Sequence, residues 1–146
     1  MFDIQVIKLA SNTKNYGLTK TRTHTASFKN KLCGDKITIE LNADKIKIKS
    51  MRYETESCIY CQASASILSY AISSMKINKL KRDFIQIENF FLTKENKLPK
   101  KYKVFKILMK KKNKDRYKCI MLPFYAVRKA LNIWNEKMHT CYIYDF

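Results

Sequence analysis

Residues 36–52 carry the pattern that most restricts how this chain can fold, an alternation of apolar and polar side chains with a period of two. The apolar positions are Ile37, Ile39 and Leu41 before residues 42–44, and Ile46, Ile48 and Met51 after them. Successive side chains of a strand point to opposite faces, so the pattern predicts two strands that each bury one face. Residues 42–44 have turn-forming side chains, which predicts an antiparallel hairpin with strands at 36–41 and 45–52.

The rest of the chain predicts one more strand and several helices around this hairpin. A Thr-rich segment predicts the first strand at 21–32, and helical spacing predicts helices at 3–10, 62–75, 78–92 and 119–138. The side chains expected to be buried are Ile4, Val6 and Ile7 in the first helix, Ala63, Ile67, Tyr70 and Ala71 in the second, and Leu80, Phe84, Ile87 and Phe91 in the third. We therefore expect an α+β fold, with a three-stranded antiparallel sheet packed against several helices.

Two features near the carboxyl end complete this outline. Residues 93–115 form a basic connector, within which the segment 102–110 is expected to be a strand or a short helix. Pro123 is expected in the first turn of the last helix, where its missing N–H is not needed.

Length and composition favour a single domain spanning residues 1–146. The chain has no internal repeat and no Gly- or Ser-rich linker, and 46% of its residues are hydrophobic. No apolar run approaches the roughly 20 residues that cross a bilayer. The first residues include an acidic side chain and no long apolar block, which is not the pattern of a secretory signal. We therefore expect a cytoplasmic protein that has no membrane partner.

The net charge of +18 has two interpretations. Thirty Lys and Arg residues against 12 Asp and Glu residues create a field that attracts polyanions or an acidic protein. Lys is abundant throughout the chain, however, so the densest basic run at 110–118 is favoured as a solvated loop. No basic-domain motif with ordered aromatic residues is present. A small basic nucleic-acid-binding domain therefore remains the alternative function, and nucleic acid is not the favoured partner.

The five cysteines indicate thiol chemistry. They are Cys33, Cys58, Cys61, Cys119 and Cys141. An odd number of cysteines without a secretory signal argues against a disulfide framework and favours metal binding or redox chemistry.

The predicted hairpin brings several of these thiols together. Cys33 and Asp35 stand before its first strand, and strands of equal length return residue 58 to the same end of the sheet. Cys58 and Cys119 also lie at predicted helix N-termini, which favour thiolate over thiol. Three thiolates and a carboxylate suit Zn²⁺ or, with cluster-building chemistry, iron–sulfur ligation. From spacing alone, buried inert cysteines with a turn at Gly34 are an equally good interpretation.

Three ordered motifs resemble the IscU/SufU family of iron–sulfur cluster assembly proteins, which is similar to the N-terminal domain of NifU. The motifs are CGDKITIEL at 33–41, SCIYCQASASIL at 57–68 and RYKC at 116–119. The turn at residues 15–17 is similar to an Asn-x-Gly turn of this family, and the resemblance covers residues 12–135. Lys118, where IscU-type proteins carry His, and the long connector make the chain more similar to the SufU branch. Neither His24 nor His139 stands beside one of the predicted ligand cysteines.

The resemblance implies a scaffold, a zinc-dependent sulfur acceptor, or both. The implied cofactors are Zn²⁺ and a transient 2Fe–2S cluster, held by Cys33, Asp35, Cys58 and Cys119. The implied partners are a cysteine desulfurase of the SufS or IscS type and apo iron–sulfur proteins. Cys33 is the implied persulfide acceptor and Cys119 the alternative, so the chain is either non-enzymatic or a sulfurtransferase-type acceptor. Asp35 is the implied exchangeable ligand that governs cluster lability.

Some residues depart from the family pattern. Ser57 replaces a Gly before the second cysteine, and residues 112–115 lack the Pro that stands near the third, so the chaperone-recognition loop of IscU is absent. Cys61 has no family counterpart; it forms a C-x-x-C motif with Cys58, and a packing role is favoured over a thiol oxidoreductase.

The sequence leaves the role of the two cations beside Cys119 open. Arg116 and Lys118 flank Cys119, and they either lower the pKa of its thiol or are surface charges. Cys141 is expected to be a residue of the C-terminal tail.

Overall fold

The computed structural model describes residues 3–31, 33–93 and 97–133. Its regular elements are helices α1 (Ile4–Ser11), α2 (Ile59–Ala71), α3 (Ile77–Thr93) and α4 (Tyr117–Leu131), strands β1 (His24–Lys29), β2 (Lys36–Ala43) and β3 (Ile48–Glu56), and two 3-10 helices (Lys100–Ile107 and Lys111–Arg116). The strands form one antiparallel sheet in the order β1-β2-β3. The predicted α+β fold with a three-stranded antiparallel sheet is therefore confirmed. None of the described helices is long and apolar enough to cross a membrane.

The hairpin β2–β3 follows the predicted alternation at its open end. Ile37, Ile39 and Leu41 are fully buried, and they face α4 across the core. Lys36 pairs with Glu56, so the start of β2 and the end of β3 lie side by side at one end of the sheet. This pairing places the segment that follows β3 next to the loop that precedes β2.

The turn of this hairpin lies later than the sequence predicts. β2 continues to Ala43, the register shifts between Asn42 and Ala43, and the Asp44 carboxylate then accepts hydrogen bonds at 2.8 Å from the N–H groups of Ile46 and Lys47. Ile46 consequently stands in the turn and is 70% exposed, so its predicted place on the buried face of the second strand is wrong. The two hydrogen bonds to the Asp44 carboxylate stabilise this turn more than burial of the Ile46 side chain would.

Helix α1 buries only one of the three side chains predicted to face the core. Val6 is fully buried, whereas Ile4 and Ile7 are 66% and 42% exposed. The helix is fixed by Asp3, which caps its N-terminus by accepting a hydrogen bond from the Gln5 N–H. With only eight residues, the helix presents one short stripe to α2, and Val6 occupies it.

Helix α3 buries the predicted positions, but one position of α2 is wrong. Leu80, Phe84, Ile87 and Phe91 are buried as expected from their spacing. In α2, Tyr70 is 43% exposed, because its hydroxyl donates a hydrogen bond to the Asn12 side chain beyond α1. α2 also begins at Ile59 rather than at residue 62.

Helix α4 differs from the prediction at both ends. It begins at Tyr117, directly after the second 3-10 helix, so that Pro123 lies in its interior rather than in its first turn. It ends at Leu131, because Asn132 adopts a left-handed conformation with φ of +53° and its N–H caps the last carbonyls. The predicted continuation to residue 138 is therefore wrong at 132–133, and residues 134–138 lie outside the described part of the chain. Ser64 of α2 joins the first turn of α4 to the core by donating a hydrogen bond to the Ile120 carbonyl.

The described part of the basic connector contains two 3-10 helices, and the first of them confirms the short-helix alternative for residues 102–107 of the 102–110 segment. Tyr102 and Phe105 of the first 3-10 helix are buried in the core. The lysines of the same segment are exposed. The connector therefore packs against the protein through its aromatic side chains and presents its charges outward.

Candidate metal centre

The loop that carries Cys33 and Asp35 is closed by its own backbone. The N–H of Asn30 donates to the Asp35 carbonyl and the N–H of Gly34 donates to the Asn30 carbonyl, both at 2.8 Å. Gly34 has a φ of +78°, a conformation that side-chain-bearing residues adopt only at a cost. The loop thus reverses the chain between β1 and β2, leaving Cys33 exposed and Asp35 buried.

Cys58 lies where β3 gives way to α2. It is the N-cap residue of that helix, with an extended backbone (φ −68°, ψ 165°), and its thiol is half-buried. Its backbone N–H donates a hydrogen bond to Asp35 Oδ1 at 3.2 Å, which joins the β1–β2 loop to the start of α2. Gln62 holds the preceding residue by donating to the Ser57 carbonyl.

Cys119 is the third residue of α4, and it is buried. The Tyr60 hydroxyl of α2 donates to the Asn113 side chain at 3.1 Å, and the Asn113 amide donates to the Leu108 carbonyl. These two bonds couple the first turn of α2 to the connector just before α4, so they fix where Cys119 meets the other thiols. Sequence reasoning did not single out Asn30 or Asn113, because a buried asparagine that satisfies loop backbone carries no recognisable spacing.

Three of the four predicted ligand side chains come together in space. Cys33 Sγ lies 3.8 Å from Cys119 Sγ. One ligand atom each from Cys33, Asp35 and Cys119 lie within 4.8 Å of one another. The Cys58 thiol is outside that group but interacts with both Cys119 and Asp35.

The buried carboxyl group of Asp35 is suited to binding a cation. Oδ1 accepts the hydrogen bond from Cys58, whereas Oδ2 is buried and has no hydrogen-bond partner among the described residues. Leaving a buried acceptor unsatisfied costs free energy that a structure normally avoids. One oxygen of this carboxyl group lies within 4.8 Å of the Cys33 and Cys119 sulfur atoms, and thiolates with one carboxylate oxygen are ligands that Zn²⁺ and iron accept. The residues present therefore fit a bound metal ion.

The thiols of Cys58 and Cys119 shift each other's pKa in opposite directions. A hydrogen bond from the Cys119 thiol lowers the pKa of Cys58, and the same bond, together with burial and the nearby Asp35 carboxyl group, raises the pKa of Cys119. In the metal-free protein Cys58 is thus the preferred thiolate. Arg116 and Lys118 are exposed and the pKa of the Cys119 thiol is raised rather than lowered, which favours the alternative that the two cations are surface charges.

Of the other two cysteines, Cys61 lies within the described residues and Cys141 does not. Cys61 is fully buried in the first turn of α2, which agrees with a packed side chain, and burial raises the pKa of its thiol. Cys141 and His139 lie outside the described residues, so the tail assignment of Cys141 stays a prediction.

Comparisons with known proteins agree with this fold. The profile of the NifU-like N-terminal domain matches residues 1–140. A similar curated protein is the iron–sulfur cluster assembly scaffold protein IscU of Thermotoga maritima, which is 26% identical over 132 residues, covering 90% of this chain and 92% of that protein.

Two solved structures share the fold. One is a nitrogen-fixing NifU-like protein (N-terminal part) from Brucella abortus, with a TM-score of 0.76 and 20% identity over 89% of this chain and 91% of that one. The other is described as an iron–sulfur cluster assembly scaffold protein for the SUF system of Fervidobacterium islandicum, with a TM-score of 0.78 and 21% identity over 89% and 96% of the two chains. Because the profile match spans nearly the whole sequence, this chain belongs to the NifU-like N-terminal domain family.

Proposed function

We propose that this protein assembles iron–sulfur clusters on Cys33, Asp35, Cys58 and Cys119, as a scaffold, as a zinc-dependent sulfur acceptor, or as both in turn. The observation that supports this most directly is the convergence of Cys33, Asp35 and Cys119, whose ligand atoms lie within 4.8 Å of one another. The unpartnered Oδ2 of Asp35 beside those thiols adds to it. The described relatives are cluster assembly scaffolds, and membership of the same family extends the proposal to this chain.

The exposure of the thiols suggests their order of use. Cys33 is exposed, whereas Cys119 is buried and Cys58 half-buried, so a partner protein reaches Cys33 first. In the proposed step, the Cys33 thiolate attacks the terminal sulfur of a persulfide on a cysteine desulfurase. Cys33 gains that sulfur as a persulfide, and the donor cysteine leaves as a thiolate. Cys119, 3.8 Å from Cys33, is the alternative acceptor.

The protein's own residues hold the other ligands in place during that step. The Cys58 N–H keeps Oδ1 of Asp35 oriented and leaves Oδ2 directed at the site. A carboxylate oxygen is a weaker and more exchangeable ligand to these metals than a thiolate. A bound Zn²⁺ would keep the thiols deprotonated. We therefore propose Asp35 as the ligand at which the finished cluster, the cargo of the reaction, is released to an apo acceptor protein.

Two measurements separate the scaffold from the acceptor. Protein reconstituted without oxygen from ferrous iron and inorganic sulfide should show the visible absorption of a 2Fe–2S cluster if the chain is a scaffold. The zinc-loaded protein should accelerate turnover of a SufS-type desulfurase if it is an acceptor, and Cys33→Ser should abolish that acceleration. Either result supports the corresponding role.

A matched control uses the exposed Asp115 and the buried Cys61, which are outside the proposed ligand set. Asp115→Ala should leave both readouts, and Cys61→Ser the cluster formation from inorganic sulfide, close to those of the unmodified protein. Protein that neither forms a cluster nor activates a desulfurase, with correct folding shown by circular dichroism, would overturn the proposal.

A nucleic-acid-binding function finds less support. Single-stranded nucleic acid is bound by exposed aromatic rings set among cations. In the described part of the basic connector, Tyr102 and Phe105 are fully buried beneath the lysines. The connector therefore offers charge without stacking surfaces, and charge alone also suits an acidic face of a partner protein.

A further inference from the structure

The first turn of α2 contains a second thiol that the proposed ligand set does not use. Cys58 is the N-cap residue and Cys61 is the third residue of the helix, which makes the sequence C-x-x-C. The Cys61 side chain is fully buried and is not among the residues whose ligand atoms converge. A cysteine without a ligand role, one turn from a cysteine with one, requires an explanation beyond packing.

The helix geometry places these two cysteines within reach of each other. Residues three apart on a helix have Cα atoms about 5 Å apart, and disulfides form over Cα separations of about 4.4–6.8 Å. The Cys61 thiol interacts electrostatically with Cys58, Asp35 and Cys33, so it lies beneath the site rather than on another face of α2. The Ser57 hydroxyl is a further neighbour of this thiol. Formation of a Cys58–Cys61 disulfide therefore needs only side-chain movement.

Burial limits what Cys61 can react with. At 0% exposure it is closed to outside thiols and oxidants, whereas Cys58 is only half-buried. Dithiol motifs at helix N-termini work in this way, with an accessible cysteine that meets the substrate and a buried one that resolves the mixed species. The arrangement at the start of α2 has the same division.

We propose that Cys61 is a resolving thiol that releases sulfide from a persulfide on Cys58. This inference rests on the proposed function, because it assumes that the outer sulfur accepted at Cys33 passes to the Cys58 thiolate by exchange, with Cys33 leaving as a thiolate. The Cys61 sulfur attacks the inner sulfur of the Cys58 persulfide and loses its proton. The new bond joins Cys58 Sγ to Cys61 Sγ, the bond between Cys58 Sγ and the outer sulfur breaks, and that sulfur leaves as HS⁻ with both bonding electrons.

The electron balance gives this step a use. Cluster assembly consumes sulfide, whereas a persulfide delivers sulfur at a higher oxidation level and two electrons must be added. The two thiols of the C-x-x-C motif supply those two electrons and end as a disulfide. A dithiol reductant then has to reopen the disulfide by thiol–disulfide exchange before Cys58 can act as a ligand again.

The chain offers a direct test by peptide mapping. Trypsin cleavage after Arg52 and Lys76 gives a peptide, residues 53–76, whose only cysteines are Cys58 and Cys61. The reduced full-length protein is treated with inorganic polysulfide without oxygen or added thiol, desalted and alkylated at acidic pH. We expect free sulfide to appear together with an unalkylated 53–76 peptide that is two hydrogen atoms lighter than the dithiol form.

Three variants sharpen the test. Cys61→Ser and Cys61→Ala should both lose the disulfide within peptide 53–76. Sulfide release by both should fall to the level of the Cys58→Ser variant. Two substitutions of Cys61 are used because either one alone could perturb the buried site. Sulfide release that persists in both Cys61 variants, or a disulfide that instead links peptide 53–76 to the peptide of Cys33 or Cys119, would overturn the inference.

The same variants separate this inference from the proposed function. Cluster formation from inorganic sulfide bypasses the persulfide, so Cys61→Ser should assemble a cluster under those conditions as well as the unmodified protein does. If it does so and still releases sulfide from polysulfide at the unmodified rate, only the role of Cys61 fails. If the unmodified protein assembles no cluster from inorganic sulfide, the scaffold proposal itself fails.

Discussion

The backbone N–H of Cys58 donates a hydrogen bond to Oδ1 of Asp35 at 3.2 Å, and this bond joins the loop before β2 to the first turn of α2. It satisfies one oxygen of a buried carboxyl group and leaves the other, Oδ2, without a partner next to the thiols of the site. A single contact thus both positions Cys58 and reserves an acceptor for a cation. Active sites often carry such a cost to stability in exchange for function.

The first prediction follows from this unsatisfied oxygen. Asp35→Asn keeps the acceptor for the Cys58 N–H and replaces Oδ2 by an NH₂ group that faces sulfur atoms. We expect the metal-free variant to be more stable by about 1 kcal/mol, because a buried acceptor without a partner costs about 1–3 kcal/mol. Urea unfolding in the presence of a chelator measures the difference.

The same variant should gain less from zinc. Added Zn²⁺ should stabilise the unmodified protein more than it stabilises Asp35→Asn. The difference between their free energies of unfolding should therefore narrow or change sign. Asp115→Asn, at an exposed position of the second 3-10 helix, is the control and should leave both stabilities unchanged. A metal-free Asp35→Asn that is less stable than the unmodified protein would contradict this account of the carboxyl group.

A second prediction concerns the bound cluster. Asp35→Ala removes the one oxygen ligand of the set and with it the proposed point of release. We expect a cluster reconstituted on this variant to persist longer when challenged with an iron chelator or an apo acceptor. The decay of visible absorption measures the lifetime, and an unchanged lifetime would count against a release role for Asp35.

A third prediction isolates the backbone at Gly34. A Cβ added there would have no atom within 4 Å, so only the positive φ of +78° opposes a larger residue. Gly34→Ala should therefore destabilise the protein by about 1 kcal/mol through strain alone. Gly34→Asn should cost less, because Asn tolerates the left-handed conformation. Thermal unfolding of the two variants side by side checks this order, and equal stabilities of Gly34→Ala and the unmodified protein would show that the loop adopts another conformation.

A fourth prediction concerns pH and the buried Glu40 of β2. Although burial raises its pKa, hydrogen bonds from the N–H groups of Thr19 and Lys20 and from Arg22 lower it below its ordinary value of 4.5. A carboxyl group with a lowered pKa stabilises the folded state fully above its unfolded pKa, and the stabilisation is lost as the pH falls through the folded pKa. Stability should therefore decline below about pH 4.5.

Substitution of Glu40 tests this link. Glu40→Gln should lower the free energy of unfolding at pH 7 by about 1–3 kcal/mol, the usual worth of hydrogen bonds to a charged group. It should also flatten the loss of stability between pH 5 and 3, measured by urea titrations across that range. Glu56→Gln, at an exposed position of β3, serves as the comparison. A steep acid limb that survives in Glu40→Gln would assign the acid sensitivity to another group.

The sequence predicts the elements of this fold better than it predicts their orientation. Ile37, Ile39 and Leu41 and the buried face of α3 follow from spacing, because each pattern is long enough to select one face. α1 is too short for that, and its partner α2 selects Val6 instead of Ile4 and Ile7. Tyr70 was misplaced because its hydroxyl bonds to Asn12, which is 58 residues away along the chain.

The candidate site shows the same division between local and long-range information. The placement of Cys33, Asp35 and Cys58 at one edge of the sheet follows from the near-equal lengths of β2 and β3. The approach of Cys119 depends on the Tyr60–Asn113 bond and the packing of the connector, which no local pattern reports. The opposite pKa shifts of Cys58 and Cys119 likewise depend on burial and on the hydrogen bond between the two thiols, so they could not be predicted from neighbouring charges in the sequence.

Metal analysis of protein purified without oxygen tests the central claim most directly. The account predicts about one zinc ion, or the iron of one cluster, per chain, with binding that is lost in Cys33→Ser and retained in Cys61→Ser. Protein that contains neither zinc nor iron, together with a Cys33→Ser variant whose affinity for both is unchanged, would contradict it.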